Sequence, residues 1–483
     1  MRFLIRVGAL VLTVVLLCNV PVYAGALEAP ATFADFGVQA TATLLDVYYN
    51  GQGYWRYCDQ HACATSNTDW GVDSATDALY MRWTQTHDPQ IQTVMSRLLA
   101  TAPHYPAPCT NAGCPSWSDT PEWDAVTLMR EYAVTRDPRA LALAQAAFDF
   151  VEQSRVFRLG ACPVVPFQLP QPSTNNVKTL ETLANAVKAA LLLYQATHEP
   201  RFLASALAGY ADARKYFLDP QVSLYSVHVI DDGSSCTQVP HRFFASVNGD
   251  MIWSGITLWR ITGGQHFQSE ALATAAAVDT QLSDARGVFA DVQGENDVVE
   301  PLVEAMYDLA VQERQPFAAA WIERNAAAAV SSRAADGSFS RFFDGPSQAA
   351  STIWESNGGL ALEIAAAQLD PSGTVPLRDQ WSADRVVGAP ITALPATFSI
   401  DGSGVALIGS IGRRWAGNHL RVFIDGVETF DRTGLWENQS MPDDDPVLFA
   451  WCWPTAGRHT IRLEPSDSHA AAGLLHLEAV AIP

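Results

Sequence analysis

Basic residues are scarce in this chain: 30 Lys and Arg stand against 51 Asp and Glu in 483 residues, a formal net charge of -21. A surface this acidic repels phosphate backbones and anionic lipid, which argues against nucleic acid or a charged membrane as partner. Long apolar runs are missing beyond the N-terminus, so no later segment is expected to span a bilayer. Cysteine occurs 8 times but never with Cys-x-x-Cys spacing, and His61 between Cys58 and Cys63 is too little to build a zinc site. Neither a cofactor motif nor a calcium-loop signature is present. The expectation is no cofactor and no metal.

What is present is ordinary globular text, 48% hydrophobic and 17% charged, over a length that suits two domains. Residues 1–24 read as a signal peptide: Arg2 and Arg6 form the charged region, Val7 to Leu17 the apolar run, and Val22-Tyr23-Ala24 a small-residue cleavage site before Gly25. Cys18 follows Leu17, where a lipoprotein signal wants a small residue. The mature chain is therefore expected to be secreted or periplasmic, a monomer without a membrane partner. Export makes disulfides the natural use of cysteine. Cys58 with Cys63 and Cys109 with Cys114 are close enough for small-loop bridges, Cys162 with Cys236 is the remaining pair, and Cys452 is left free and buried.

From Thr32 to about Asp370 the text is helical and alanine-rich. A turn recurs: Thr86-His87-Asp88-Pro89, Thr135-Arg136-Asp137-Pro138, Thr197-His198-Glu199-Pro200, Thr262-Gly263-Gly264-Gln265 and, more weakly, Glu313-Arg314-Gln315-Pro316. An acid followed by proline ends one helix and starts the next, since proline fits the first helical turn. Before each turn lies an apolar-rich helix (Ala78 to Trp83, Val126 to Val134, Ala186 to Tyr194, Ile252 to Ile261, Leu302 to Val311). After most comes an amphipathic one, such as Ala140 to Val151 or Phe202 to Tyr216. A helix apolar on most sides is buried on most sides, and its partner covers it. Repeated about six times around a circle, this predicts an (α/α)6 toroid, with a straight solenoid as the alternative. The predicted division is 25–370 for the toroid, 371–384 for a linker and 385–483 for a β-sandwich. In the last part the hydrophobic period changes to two, Asp425-Gly426 signals a hairpin, and about seven or eight short strands are expected.

Acids cluster where inner helices should begin. Ser118-Asp119-Thr120-Pro121-Glu122-Trp123-Asp124 packs three acids and an aromatic ring into a helix start. Capping accounts for Thr120, Pro121 and Glu122. It leaves Trp117, Asp119, Trp123 and Asp124 unexplained, whereas glycoside hydrolysis needs two carboxylates and aromatic faces for the sugar. Asp119, Glu122 and Asp124 are the catalytic candidates. Asp69-Trp70 with Asp73, Asp231-Asp232 beside Cys236, Asn248-Gly249-Asp250 and Trp354-Glu355 are read in the same way. Each has an N-cap or turn reading beside the functional one. Asp69, Trp70, Trp123, Asp231, Asp232, Asn248, Asp250 and Glu355 are the candidates for substrate binding. A toroid would gather the clusters at one end.

The helical region, about Phe33 to Ala367, resembles glycoside hydrolase family 76, the α-1,6-mannanase family. The likeness rests on Gly53-Tyr54-Trp55 with Asp69-Trp70, on Asp119 through Pro138, on Val247 to Gly263, and on Trp321 to Asn325 with Asp336-Gly337-Ser338-Phe339. The resemblance implies an (α/α)6 barrel that cleaves α-mannan with retention, using two neighbouring aspartates about 5 Å apart. Asp119 matches the first, the nucleophile. Thr120 stands where the second, the acid/base, is expected, so Glu122, Asp124 or Asp232 would have to supply the acid. The stretch from Ala396 to Pro483 resembles the jelly-roll modules of secreted glycosidases, with Trp415, Trp436, Trp451 and Trp453 as stacking or core residues. The reading is thus a secreted hydrolase of a polysaccharide, most simply of α-mannan type. The alternatives are an inactive glycan-binding protein that keeps the same groove and, further off, a structural scaffold.

Overall fold

A computed structural model describes residues 31–58, 63–105, 118–152, 160–164, 176–239, 242–290, 298–348, 352–375, 381, 386–411, 420–430, 447–465 and 475–482. The signal-peptide stretch, Cys109, Cys114, Trp117, Trp415 and Trp436 lie outside these residues. The helices are α1 (Phe33–Thr43), α2 (Trp70–Thr86), α3 (Pro89–Thr101), α4 (Thr120–Thr135), α5 (Pro138–Glu152), α6 (Leu180–Thr197), α7 (Pro200–Tyr216), α8 (Ala245–Thr262), α9 (Gln265–Gln281), α10 (Glu300–Val311), α11 (Pro316–Ser332) and α12 (Ile353–Leu369).

The recurring turn works by three local devices. The residue after the threonine adopts a left-handed conformation and ends the helix: His87, Arg136, His198 and Gly263 all have positive φ and donate their N–H to the residue four back. The threonine hydroxyl then accepts from the next N–H but one, as in Asp137 N to Thr135 Oγ1 at 3.2 Å. Finally, in the first two turns the acid caps the following helix, with Asp88 Oδ1 accepting from Gln90 N at 2.8 Å and Asp137 Oδ1 from Arg139 N at 2.9 Å, whereas Glu199 makes no such bond. The loop is so short that each outer helix must run back along its inner partner.

The inner helices close on themselves. α2 touches α4, α4 touches α6, and the contacts continue through α8, α10 and α12 back to α2. Outside them, α5 covers α4, α7 covers α6, α9 covers α8, α11 covers α10, and α1 covers α12. The architecture is the (α/α)6 toroid. Burial follows it: α8 is buried at every residue from Ala245 to Leu258, whereas outer α7 buries only the stripe Phe202, Ala206, Tyr210 and Ala213. The ring is tight. A Cβ on Gly249 would lie 2.5 Å from the Leu302 Cα, so α8 and α10 meet backbone to backbone there.

C-terminal to α12, the described strands form one antiparallel sheet with the order Val427–Phe430, Leu420–Ile424, Val447–Pro465, Ala396–Ile411 and Leu475–Ile482. Two of these five, Val447–Pro465 and Ala396–Ile411, are long where short strands were expected. Gly402-Ser403-Gly404 looks like a turn in sequence but stays in the ladder, opposite a bulge between Cys452 and Gly457. Gly404 leaves room for Ile482 and Cys452, whose atoms a Cβ would meet at 2.7 and 2.9 Å.

The sheet is packed against the toroid. Phe342, from the loop before α12, is 1% exposed and meets Phe449 edge-on. Val447 N donates to Gln348 Oε1 at 2.7 Å and Cys452 N to Asp284 Oδ2 at 3.2 Å. Cys58–Cys63 and Cys162–Cys236 are disulfides, with Cα separations of 5.9 and 5.5 Å, and Cys452 is free and buried.

Candidate active site

The short turns put the starts of the inner helices at the opposite end of the ring, and there the first two acid clusters meet. Asp119 takes the N-cap position of α4, displacing Thr120, which is the first helical residue. Its side chain makes no capping bond and its Oδ1 has no partner among the described residues. Capping therefore does not account for this carboxyl. Asp69 likewise precedes α2 without a side-chain cap and accepts from the Tyr57 hydroxyl at 2.7 Å. In the second turn of α4, Asp124 Oδ2 accepts from Thr68 Oγ1 at 2.7 Å and from the Tyr105 hydroxyl. Asp73, four residues after Asp69 and so on the same helix face, lies close enough to Asp124 for the two carboxyls to interact.

These four acids feel one another. Burial pushes Asp119 up to about 6, helped by the charges of Asp69 and Asp124. Burial also pushes Asp124 up to about 6 against the bonds it accepts. Asp73 is raised well above the usual carboxylate range, by burial first and then by Asp124. Asp119 is 5% exposed, Asp124 2% and Asp73 1%. Half-buried aromatic rings flank Asp69: Trp354 packs on Tyr57 at 6.0 Å and on Trp70 at 5.2 Å between centroids.

The other sequence candidates sit elsewhere or are otherwise engaged. Glu122 and Trp123 are buried, 0% and 1% exposed, inside the ring wall. Asn248-Gly249-Asp250 does not open α8, which already starts at Ala245. The Asn248 amide is spent on Tyr225 and Phe244, accepting from Tyr225 N at 2.9 Å and donating to Tyr225 O at 3.1 Å and Phe244 O at 2.8 Å. Glu355 closes a capping box with Thr352 and pairs with Arg341 at 3.0 Å. Asp231 is pinned by the N–H groups of Ala161, Cys162 and Gly233, which outweigh its burial and hold it below the usual range. Asp232 is exposed and is held low by Ser234 and Ser235.

Asp250 belongs to a second cluster, in the ring's interior. Lys188 Nζ lies 2.8 Å from Asp250 Oδ1 and 2.7 Å from Glu304 Oε2. Arg130 pairs with Glu304, lies 3.7 Å from Asp77 and covers the Tyr80 ring. Helices α2, α4, α6, α8 and α10 each contribute a charge to this network. A third group, Asp284, Asp344 and Cys452, brings potential ligand atoms within 4.8 Å where sheet and toroid meet. The Arg286 guanidinium already pairs with Asp344 there, Nε to Oδ2 at 2.6 Å.

Sequence reasoning noted Asp73 without selecting it. Its spacing of four from Asp69 was the available signal. Tyr57, Thr68 and Tyr105 carried none, because each reaches the site from a loop.

Buried carboxyls of this kind set the pH dependence of stability. Asp77, Asp119 and Asp124 titrate at about 6, Asp284 at about 7 and Glu363 at about 8, burial being the largest cause in each case. In the unfolded chain carboxyls titrate near about 4, so above that pH the native state holds more protons and stability falls as pH rises. Melting temperatures measured from about pH 4.5 to 8.5 are expected to decline. A steady rise over the same range contradicts the assignment.

No protein-family model matches the sequence, and no curated protein matches it. Solved structures do. An inactive variant of the α-1,6-mannanase GH76A of Salegentibacter sp. HEL1_6, with two consecutive aspartates replaced and α-1,6-mannotetrose bound, is 17% identical with a TM-score of 0.59, covering 70% of this chain and 100% of that one. A family 76 α-mannanase from Bacteroides thetaiotaomicron is 15% identical, again with a TM-score of 0.59, over 70% of this chain and 96% of its own. A family 76 mannosidase from Bacteroides thetaiotaomicron VPI-5482 is 14% identical with a TM-score of 0.56, over 70% and 98%. With a closed ring of inner helices and these neighbours, the chain has the fold of the family 76 α-1,6-mannanases.

Proposed function

We propose that the chain is a glycoside hydrolase of α-mannan-type polysaccharide, with Asp119 as nucleophile and Asp124 as the acid. The observation that carries this reading is the meeting of Asp69, Asp73, Asp119 and Asp124 at the starts of two adjacent inner helices in a mannanase fold. Glycosidic cleavage needs one ionised carboxyl against C1 and one protonated carboxyl against the leaving oxygen. Burial and like charge separate the two states. Thr120 has no proton to give at useful pKa, and Asp124, which interacts electrostatically with Asp119, takes that place. Tyr57, Trp70 and Trp354 offer ring faces for sugar C–H surfaces. The proposed division keeps 25–370 as the catalytic part and 385–483 as an accessory module.

Export is part of the proposal. Among the described residues no helix is long and apolar enough to cross a membrane, and two disulfides fit an oxidising compartment.

Thr120 favours one second reading, a protein that binds glycan without cutting it. Incubation with α-1,6-, α-1,2- and α-1,3-linked mannans and unrelated glycans, read as new reducing ends, separates the two. Release of manno-oligosaccharides from α-mannan is expected. Binding to α-mannan with no new reducing ends would give the second reading precedence.

A further inference from the structure

The group with which Asp124 shares its proton is assigned by its surroundings. Asp124 Oδ2 is occupied by Thr68 and Tyr105. Its Oδ1 and Asp73 Oδ2 find no hydroxyl or N–H donor among the described residues. The two carboxyls instead lie within reach of each other, from the first turn of α2 and the second turn of α4, each with one buried oxygen unpartnered among the described residues. They can bond only if one of them carries a proton, because two adjacent carboxylates repel. Asp69 and Asp77 face Asp73, Asp69 and Asp119 face Asp124, and Tyr105 and Glu131 feel the charge of Asp124. These facing acids discourage a second ionisation of the pair.

We propose that Asp73 is a positioning residue for the acid step, holding a proton against Asp124 so that the two carboxyls act as one acid opposite Asp119. The inference rests on the glycosidase reading above. As the C1–O bond breaks, its electron pair stays on the leaving oxygen, which takes the shared proton through Asp124. Asp119 forms the new bond to C1. Water then attacks C1, the Asp119 bond breaks with its electrons returning to the carboxylate, and the water proton goes back to the pair.

The test uses the full chain with Asp73→Asn and, separately, Asp124→Asn on two substrates: α-1,6-mannan, and an α-mannobioside with a dinitrophenyl leaving group, which departs without protonation. Both variants are expected to lose about 10²-fold or more in kcat/KM on mannan but no more than about tenfold in kcat/KM on the activated substrate, whose first step needs no proton, while kcat on the activated substrate falls because the pair also takes the water proton in the second step. In Asp73→Asn the alkaline limb of the kcat profile on mannan should also move to lower pH, since Asp124 then titrates without its partner. Equal losses of kcat/KM on both substrates, or an unmoved alkaline limb, would overturn the proposal. Wild-type inactivity on both substrates would defeat the glycosidase reading instead. The shared proton is then judged by melting: Asp73→Asn should flatten the fall in stability between about pH 4.5 and 7, and an unchanged slope would sink the pairing.

Discussion

Alanine in place of Asp119 is expected to leave a folded protein whose rate on α-mannan is at least about 10⁴-fold lower. The two halves of this result have separate causes. The rate falls because the attacking carboxylate is gone and no neighbour can replace it: Asp69 is engaged by Tyr57 and Asp124 by Thr68 and Tyr105. The fold survives because the carboxyl makes no side-chain capping bond and its Oδ1 has no partner among the described residues, so little is lost with it. Initial rates and melting curves of the same preparation check both halves. Activity within about tenfold of wild type would remove Asp119 from the chemistry. A collapsed melting transition would show that it is structural after all.

Methionine in place of Lys188 is expected to cost about 3–5 kcal/mol of stability. The ammonium lies between Asp250 and Glu304, and Lys188 and Asp250 are both fully buried. Its loss leaves two carboxylates inside the ring with only Arg130 to oppose them. Burial alone would depress the amine, but the neighbouring carboxylates outweigh it, and Lys188 stays charged. The surface pair Arg201–Asp149, at 2.6 Å, is the control. Water screens it, and Arg201→Ala should cost no more than about 1 kcal/mol. Chemical denaturation of the two variants side by side gives the comparison. Equal and small losses would mean that the central network contributes little.

The helical frame was readable because its signals are local. A threonine, a left-handed residue, an acid and a proline lie within four positions, and each acts on its neighbours in the chain. Of the three expected disulfides, Cys58–Cys63 and Cys162–Cys236 are present, and Cys109–Cys114 lies outside the described residues. The site was only partly readable. Asp69 and Asp119 could be placed at helix starts, but whether they capped or stayed available depended on side-chain geometry. Asn248 and Asp250 were misplaced by several residues, because α8 begins back at Ala245 in a stretch with no capping side chain. The approach of Asp73 to Asp124 joins two helices and has no counterpart in any local pattern. The length of the strand Ala396–Ile411 was hidden for the opposite reason: Gly404, which interrupts the alternating pattern, makes room for Cys452 and Ile482.

Phe342 and Asp284 come from loops leading into the inner helices, yet each is satisfied by the C-terminal sheet. A truncation ahead of the sheet is therefore expected to leave the toroid damaged. It would uncover an oily phenylalanine, strip a carboxylate of an amide donor and loosen the lip of the vessel at the end where glycan is expected to enter. The accessory part is better regarded as masonry than as a trailing anchor.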